Sequence, residues 1–260
     1  MNIDKIRKVS KTSALGGGNV LKKYFRNSFD VEIKDEISPL VSQADRESEI
    51  AIRKVVRENF PQHIVIGEEF GVDTPNVIND DPITWVLDPL DGTSAFVAGI
   101  PTFVVLIGVW QGPKPLLGVI YQPITGEMWV GDGKVCTLNS KEVGNPPKNA
   151  PFILATTSQD LLSPKTQTWF NALKEEAKVT IFGGDGHLYA SLASGRISCI
   201  IEEGLMWHDI AALVPVVEGA GGIITDFAGD TIKPGQESYK VLAALDQKIH
   251  TMALSKLYSS

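Results

Sequence analysis

The stretch that decides the fold reads WVLDPLDGT and runs from Trp85 to Thr93. Its first three residues are large and apolar, which is typical of a buried strand, and two acids and one proline follow at once. We therefore predict a strand over residues 83–87 that ends in a tight loop carrying Asp88 and Asp91. Two ionised carboxylates this close repel one another, and a bound cation removes that cost. The stretch therefore predicts a cation site at a strand end.

Two further acidic segments also lie at the ends of predicted elements. Glu68 and Glu69 follow a short strand over residues 63–66, and Asp209 opens a helix over residues 209–218. Strand ends from distant parts of a chain meet at one edge of a parallel or mixed sheet, so we expect these acids to converge. For each acid taken singly, a capping or solvated carboxylate stays open, and for Asp209 a helix N-cap is the natural alternative.

The ligand types indicate which cation binds. The clusters offer only oxygen ligands, which select magnesium, manganese or calcium rather than zinc or copper. Carboxylates that hold Mg²⁺ fit the hydrolysis of a phosphate ester, because the metal activates water and neutralises phosphoryl oxygens. Gly92, Thr93 and Ser94 offer backbone N–H groups at a predicted helix start, which suits a phosphate. The sequence contains no P-loop and no GxSxG nucleophile motif.

The rest of the pattern predicts layered sheets with helices packed on them. A helix over residues 3–29 contains three adjacent glycines, which predict either a break or a close packing contact. A second helix covers residues 45–59, and beyond residues 138–151, rich in Asn, Gly and Pro, strands and helices alternate. We predict a single domain over residues 1–260 with two packed halves, approximately 1–145 and 146–260.

Composition excludes several classes of function. The 24 Lys and Arg against 31 Asp and Glu give a net charge of −7, without the basic clusters that nucleic-acid binding requires. No apolar run is long enough to span a bilayer, and the charged N-terminus does not resemble a signal peptide. The two cysteines form no disulfide pattern. We therefore expect a cytoplasmic protein with no membrane or nucleic-acid partner.

Three motifs together resemble those of the inositol monophosphatase family. Residues 85–93 resemble its first signature, residues 67–69 its GEE segment, and residues 209–212 with 218–222 its second signature. The match runs in family order from about residue 38 to residue 229. The resemblance implies an αβαβα sandwich, an α/β fold shared with fructose bisphosphatases, and a phosphomonoesterase acting on a small phosphorylated metabolite.

The resemblance also implies roles for individual residues. It implies two or three Mg²⁺ ions, with Mn²⁺ as a substitute, and a homodimer. Thr93, oriented by Asp45, would work with Glu68 to position the attacking water. The first half would hold metal and phosphate, and the second would recognise the rest of the substrate. The metal ligands implied are Glu68, Asp88, the Leu90 carbonyl, Asp91 and Asp209.

The second half is more similar to the histidinol-phosphate phosphatases of the family. Asp185 and Glu202 fall at positions that face the leaving group there. Two carboxylates suit the amine and imidazole of L-histidinol phosphate, since they accept charge-assisted hydrogen bonds. Asp185 also fits a simple cap of a helix that begins at Gly186.

Other functions stay open. A phosphatase for myo-inositol 1-phosphate or for sugar phosphates in general is the alternative of the same class. A non-catalytic partner in a transcription complex is the alternative of another class. One departure from the inositol-type pattern is His208, which stands immediately before Asp209 where a tryptophan is usual; here the tryptophan is Trp207.

Overall fold

The computed structural model describes residues 2–27, 31–32, 41–75, 82–143 and 150–259, with only the backbone described at 31–32, 41–42 and 258–259. The helices are α1 (Ile3–Tyr24), α2 (Gln43–Asn59), α3 (Thr93–Val97), α4 (Pro164–Lys174), α5 (Asp185–Ala193), α6 (Trp207–Ile210), α7 (Leu213–Gly219) and α8 (Gln247–Ser259). The strands are β1 (Val31–Glu32), β2 (Val41–Ser42), β3 (Ile64–Gly67), β4 (Gly71–Asp73), β5 (Ile83–Asp91), β6 (Val104–Gln111), β7 (Lys114–Gln122), β8 (Glu127–Gly131), β9 (Cys136–Leu138), β10 (Lys141–Glu142), β11 (Ile153–Thr156), β12 (Val179–Phe182), β13 (Cys199–Leu205), β14 (Ile223–Thr225) and β15 (Tyr239–Ala244).

Two large sheets dominate the described part of the chain. One has eight strands in the order β10-β9-β8-β7-β6-β5-β3-β4, and the other has five in the order β12-β11-β13-β15-β14. Strands β3 and β5 run parallel, and β5 pairs antiparallel with β6. Strand β11 lies parallel to both β12 and β13. The ends of β3 and β5 therefore lie side by side, and so do those of β11 and β13.

The two faces of the eight-stranded sheet enter different cores because side chains alternate along a strand. Trp85 and Leu87 of β5 pack with α1 and α2, in a core that also contains Ile6 and Ile52. Val86, between them, belongs instead to the core shared with α5 and α7. A helical layer therefore covers each face of this sheet.

The five-stranded sheet is covered on both faces in the same way. Ile200 of β13 faces the core that contains α5 and α7. Ile201, the next residue, faces α4 and α8, where it packs with Trp169 and Ala253. Helices α5 and α7 thus lie between the two sheets, and the layer order is helices, sheet, helices, sheet, helices. The predicted αβαβα sandwich is confirmed.

The three adjacent glycines of α1 do not break the helix, which is continuous from Ile3 to Tyr24. They allow close packing instead. A Cβ on Gly17 would lie 2.8 Å from the side chain of Ile52 on α2, and a Cβ on Gly18 would overlap the ring of Tyr121 on β7. Of the two predictions for this segment, the close packing contact is correct.

Several element boundaries differ from the prediction. Strand β5 continues to Asp91, with a shift of register between Asp88 and Asp91, instead of ending at residue 87. The predicted helix over residues 209–218 is two short helices, α6 and α7. The predicted boundary at 138–151 falls partly on residues 144–149, which lie outside the described residues. The division into two halves stays a prediction. Across the described ranges, every helix is too short or too polar to traverse a lipid bilayer.

Candidate active site

One cavity of about 440 Å³ collects most of the residues that the sequence singled out. Its lining includes every predicted site residue except Asp45: Glu68, Asp88, Leu90, Asp91, Gly92, Thr93, Ser94, Asp185, Glu202 and Asp209. Glu203 also lines it, which makes seven carboxylates. Among the described residues that form this lining there is no lysine, arginine or histidine.

Asp88 and Asp91 are placed by the irregular end of β5. Asp88 pairs with Leu106 and Asp91 with Val104, so the two residues between them form a bulge that contains Pro89. A proline is tolerated at a bulge because no ladder hydrogen bond is required there. The Leu90 N–H donates to the Asp88 carboxylate at 3.1 Å, which fixes the bulge. The bulge turns two aspartates of one strand toward the same cavity.

Glu68 reaches the same place through the parallel pairing of β3 with β5. Gly67 pairs with Leu87. The residues that follow them in the chain, Glu68 and Asp88, therefore lie side by side at the same edge of the sheet. The Glu68 N–H donates to the Leu87 carbonyl oxygen at 3.2 Å. The convergence that the sequence predicted for these two acids is therefore produced by neighbouring strands.

Asp209 arrives on the short helix α6, which lies directly on the backbone of β6. A Cβ on Gly108 would lie 2.7 Å from the Ala211 carbonyl oxygen, so only glycine permits this approach. The indole N–H of Trp110 donates to the same Ala211 oxygen at 2.8 Å. The Asp209 carboxylate accepts from the Met206 N–H at 2.6 Å, so it caps α6 from inside the first turn while lining the cavity.

The carboxylates of Asp88, Asp91 and Asp209 each offer an oxygen within 4.8 Å of the others. Burial raises the pKa of Asp88 well above its usual value, and the charges of Glu68, Asp91, Asp209 and Asp45 raise it further. Burial and the charge of Asp185 likewise raise the pKa of Asp91. Ionising this group therefore requires positive charge from outside the chain. The oxygen-only donor set and its close spacing fit a hard divalent cation such as Mg²⁺, and so does a lining without a basic side chain among the described residues.

A second acidic group adjoins the first. Asp45, Glu68 and Glu69 each offer an oxygen within 4.8 Å of the others. Asp45 is buried in the first turn of α2, which begins at Gln43, two residues earlier than predicted. Glu69 forms an ion pair with Arg46 at 3.5 Å, so the two adjacent glutamates have different surroundings. Glu68 lines the cavity and lies in the group with Asp45.

The predicted phosphate segment forms the start of α3. Gly92 is the N-cap of this helix, with a φ of 86°, a left-handed conformation that glycine adopts without strain. The Thr93 hydroxyl donates to the Leu90 carbonyl oxygen at 3.0 Å. That carbonyl retains a second lone pair for another partner. The orientation of Thr93 by Asp45 stays a prediction.

Asp185 enters the cavity from the opposite side, at the first residue of α5. It has a φ of 45° and follows two glycines, Gly183 and Gly184, that also have positive φ. The N-cap of α5 is Gly184, so Asp185 is the first residue of the helix and not its cap. A Cβ on Gly92 would lie 2.9 Å from the Asp185 carboxylate, so this side chain lies against the phosphate segment. Burial raises its pKa to about 6, and the charge of Asp209 adds to the effect.

Helix α5 is also tied directly to the aspartates of β5. The Gly186 N–H donates to the Asp91 carboxylate at 2.5 Å. A Cβ on Gly186 would lie 2.7 Å from that same carboxylate, so glycine permits the contact. The two sides of the cavity are therefore held together by a hydrogen bond from a helix of one side to a carboxylate of the other.

Glu202 is buried on β13 and accepts two hydrogen bonds from the protein. The Tyr189 hydroxyl donates to one oxygen at 2.8 Å, and the Thr157 N–H donates to the other at 3.0 Å. Burial raises the pKa of Glu202 to about 7, although these donors favour the charged form. Sequence reasoning missed Tyr189, which lies four residues after Asp185 on α5; this spacing places both on one helix face and was the available signal.

Glu203 lines the cavity but is already neutralised. Lys240 lies 2.5 Å from one of its oxygens, and the Ser163 N–H donates to the other at 2.9 Å. Burial opposes ionisation of Glu203, but hydrogen bonds from Lys240, Thr166 and Ser163 outweigh it and lower the pKa to about 2. Sequence reasoning missed this residue too, because nothing in the local pattern separates Glu202 from Glu203.

The tryptophan and histidine beside Asp209 have different surroundings. Trp207 packs edge-to-face on Trp110, with 4.8 Å between ring centroids, and so anchors α6 to the core. His208 lies 3.4 Å from the Asp209 carboxylate. The other three histidines contact side chains outside the cavity lining: His63 accepts from the Trp85 indole, His187 packs on Trp129, and His250 contacts Thr225.

Comparison with known proteins places this geometry in a family. The model of the inositol monophosphatase family matches residues 2–260. The bifunctional phosphatase IMPL2, chloroplastic, of Arabidopsis thaliana is 39% identical over 264 residues, covering 98% of this chain and 75% of that protein. A histidinol-phosphatase of Chlorobaculum parvum is 31% identical over 217 residues, 82% of each chain.

A solved structure shows the same architecture. The inositol monophosphatase from Zymomonas mobilis superposes with a TM-score of 0.84 at 31% identity, over 99% of each chain. The similarity covers nearly the whole of this chain and therefore includes both large sheets. The chain therefore belongs to the inositol monophosphatase family and is a phosphoric monoester hydrolase.

Proposed function

We propose that this phosphatase is Mg²⁺-dependent and that its preferred substrate is a phosphate monoester carrying a positive charge, with L-histidinol phosphate the favoured candidate. One observation carries the proposal: seven carboxylates and no basic side chain line the cavity among the described residues. An anionic phosphate requires cations there, and a cationic leaving group suits the acids that remain.

The proposal assigns the acids to two groups. Glu68, Asp88, Asp91 and Asp209, with the Leu90 carbonyl, would hold two or three Mg²⁺ ions. Bound there, Mg²⁺ neutralises phosphoryl oxygens, lowers the pKa of water and stabilises the leaving oxygen. The backbone N–H groups at the start of α3, from Gly92 to Ser94, would bind the phosphate, because the first N–H groups of a helix have no partner within it. Glu68 and Thr93, with Asp45 behind them, would orient the attacking water.

Asp185 and Glu202 would bind the amine and the imidazole of the substrate. Both line the cavity, and the charge of Asp185 raises the pKa of Glu202, so the two lie near enough to share one ligand. Glu203 is not a candidate because Lys240 already neutralises it. The histidinol-phosphatase of Chlorobaculum parvum, a relative at 31% identity, supports this substrate class.

The test is a substrate panel. Phosphate release is measured from L-histidinol phosphate, myo-inositol 1-phosphate and a neutral sugar phosphate, each with Mg²⁺ and with excess EDTA. We expect EDTA to abolish turnover of all three and kcat/KM to be highest for L-histidinol phosphate. Faster hydrolysis of myo-inositol 1-phosphate would contradict the preference for a cationic substrate and favour the inositol-phosphate alternative. Turnover in EDTA would contradict the metal site, and no turnover of any phosphate would favour the non-catalytic alternative.

A further inference from the structure

The turn that carries Glu68 is held by a residue that none of the motifs contains. Residues Glu68 to Phe70 connect β3 to β4, and β4 is the exposed edge strand of the eight-stranded sheet. The Glu68 N–H to Leu87 bond fixes only the beginning of the turn. A three-residue connection to an exposed edge strand has little packing of its own, so its remaining backbone groups require other partners.

Glu49 of α2 supplies those partners. Its side chain is completely buried. One carboxylate oxygen accepts from the Glu69 N–H at 2.7 Å, and the other accepts from the Phe70 N–H at 3.3 Å. These are the two backbone N–H groups that directly follow Glu68. A buried carboxylate therefore caps the turn as an N-cap residue caps a helix.

Arg53, one turn along α2, completes the support. Its guanidinium Nε lies 2.6 Å from the Glu49 carboxylate and compensates the buried charge. Its Nη2 donates to the Gly71 carbonyl oxygen at 2.6 Å, at the far end of the turn. Glu49 thus accepts from two N–H groups of the turn, and Arg53 donates to a carbonyl oxygen of the same turn.

Gly67 shows how closely Glu49 approaches this backbone. A Cβ on Gly67 would overlap the Glu49 carboxylate, so only glycine leaves room for it. Gly67 immediately precedes Glu68. Glu49 thus contacts the chain directly before and directly after the acid that enters the cavity.

We propose that Glu49 is a positioning residue for the metal site: it holds the turn so that Glu68 meets Asp88, and thereby sets the affinity for the divalent cation. This inference rests on the proposed role of Glu68 as a Mg²⁺ ligand. Glu49 itself does not line the cavity and is not a ligand. Residues that orient metal ligands from behind change metal affinity by about 10- to 100-fold when they are replaced.

The experiment compares Glu49→Ala, Glu49→Gln and Val56→Ala. Val56 is a buried residue of the same helix, and its side chain makes no hydrogen bond to the turn. Its truncation should therefore lower Tm while leaving the hydrogen bonds of the turn in place. Direct binding of Mg²⁺ and Mn²⁺ is measured by calorimetry without substrate, together with Tm and the Mg²⁺ dependence of kcat and KM. We expect Glu49→Ala to weaken metal binding at least about tenfold. High Mg²⁺ should restore most of kcat, with little change in substrate KM. Glu49→Gln, which keeps one oxygen acceptor, should show a smaller loss.

Val56→Ala should keep wild-type metal affinity despite its lower Tm. Wild-type affinity in a folded Glu49→Ala protein would overturn the inference, leaving Glu49 a purely structural residue. If Glu49→Ala does not fold, Glu49→Gln decides: wild-type affinity overturns the inference, and a loss of threefold or more supports it. Glu68→Gln separates the two proposals. If it retains full metal affinity, the proposed metal site fails; if it loses affinity while the Glu49 variants do not, only this inference fails.

Discussion

The two sides of the cavity treat their carboxylates in opposite ways. The acids delivered by the eight-stranded sheet and α6 repel one another, and the pKa of Asp88 is raised by burial and by four neighbouring acids. On the side of the five-stranded sheet, Glu203 is paired with Lys240, and Glu202 accepts hydrogen bonds from Tyr189 and Thr157. The first side requires cations from solution, whereas the second is largely satisfied by the protein.

Under the proposed function, this difference would let one acidic cavity bind two kinds of cation. A dense group of mutually repelling carboxylates gains most from a small divalent ion. Carboxylates that already accept hydrogen bonds are held in fixed orientations, which suits recognition of an organic cation. Asp185 enters from the side of α5 but resembles the first group electrostatically, because burial and the charge of Asp209 raise its pKa to about 6.

The largest expected effect is that of Asp88→Asn. We expect at least about a 1,000-fold loss of kcat, because the change removes a charged ligand from the centre of the acidic group. The Leu90 N–H can still donate to the asparagine oxygen, so the fold should persist. In EDTA, Tm should be equal to or higher than that of the wild type, since repulsion is relieved. Phosphate release and thermal unfolding measure both quantities.

The exposed Glu142→Gln is the control for Asp88→Asn, because it removes one negative charge far from the cavity lining. It should leave kcat unchanged. Near-normal activity of Asp88→Asn would contradict the metal mechanism, and a lower Tm in EDTA would contradict the electrostatic account of the site.

The next largest effect is expected for Asp185→Ala. We expect kcat/KM for L-histidinol phosphate to fall about 10- to 100-fold, as for loss of a charge-assisted hydrogen bond. The loss on myo-inositol 1-phosphate should be less than about threefold, because hydroxyl groups gain less from the charge. Steady-state kinetics on both substrates measure the ratio. An equal loss on both would make Asp185 a structural residue with a strained backbone and no role in selectivity.

Glu202→Gln should have a smaller effect that depends on pH. The pKa of Glu202 is about 7, so the charged form that would bind a cation increases as pH rises from 6 to 8. The ratio of wild-type to Glu202→Gln kcat/KM for L-histidinol phosphate should therefore increase over this range, reaching about five- to tenfold at pH 8. Titration of the substrate phosphate, which Glu202 does not contact in this proposal, affects both enzymes equally and cancels in the ratio.

Glu203→Gln is the matched control for Glu202→Gln, because the pKa of Glu203 is about 2 and its charge does not change between pH 6 and 8. The ratio of wild-type to Glu203→Gln activity should be independent of pH. A ratio for Glu202→Gln that is equally flat would show that ionised Glu202 does not contribute to substrate binding.

The smallest expected effect concerns stability. The pKa values of Asp88 and Asp91 are raised on folding, so the folded metal-free protein binds more protons than the unfolded chain. Its free energy of unfolding should therefore decrease as pH rises above about 4, the unfolded value. Mg²⁺ binds the ionised form and should offset this loss. We expect the increase in Tm on adding Mg²⁺ to be larger at pH 7.5 than at pH 5.5, by a few degrees, at about 2–4 °C per kcal/mol.

Comparing the protein with and without Mg²⁺ at each pH removes the contribution of the histidines. The pKa of His63 is lowered to about 4, mainly by burial, so His63 alone should destabilise the fold as pH falls below about 6.5, the unfolded value. That effect is common to both samples. An Mg²⁺-induced increase in Tm that is independent of pH would contradict proton competition at Asp88 and Asp91.

The acids, and the kind of cation that they suit, could be predicted from local sequence. The apolar run at residues 85–87, followed by Asp88 and Asp91, predicts a buried strand with carboxylates at its end, and oxygen ligands favour a hard cation. The layered architecture also followed, because the order of strands and helices is encoded in periodicity and in the three family motifs. These features depend on residues that are near one another in the chain.

Only the tertiary structure decided how the cavity is divided. Glu202 and Glu203 are adjacent in sequence, yet Tyr189 and Thr157 hold one while Lys240 neutralises the other. Gly108 matters because the backbone at the end of α6 approaches it, and Gly186 because the Asp91 carboxylate does. In the sequence, Glu49 resembles any acid of a helix. Its contact with the turn after Gly67 is visible only in the structure, where the Glu69 N–H donates to its carboxylate. Hydrogen bonds and charge compensation depend on distances between remote segments, and no local pattern contains those distances.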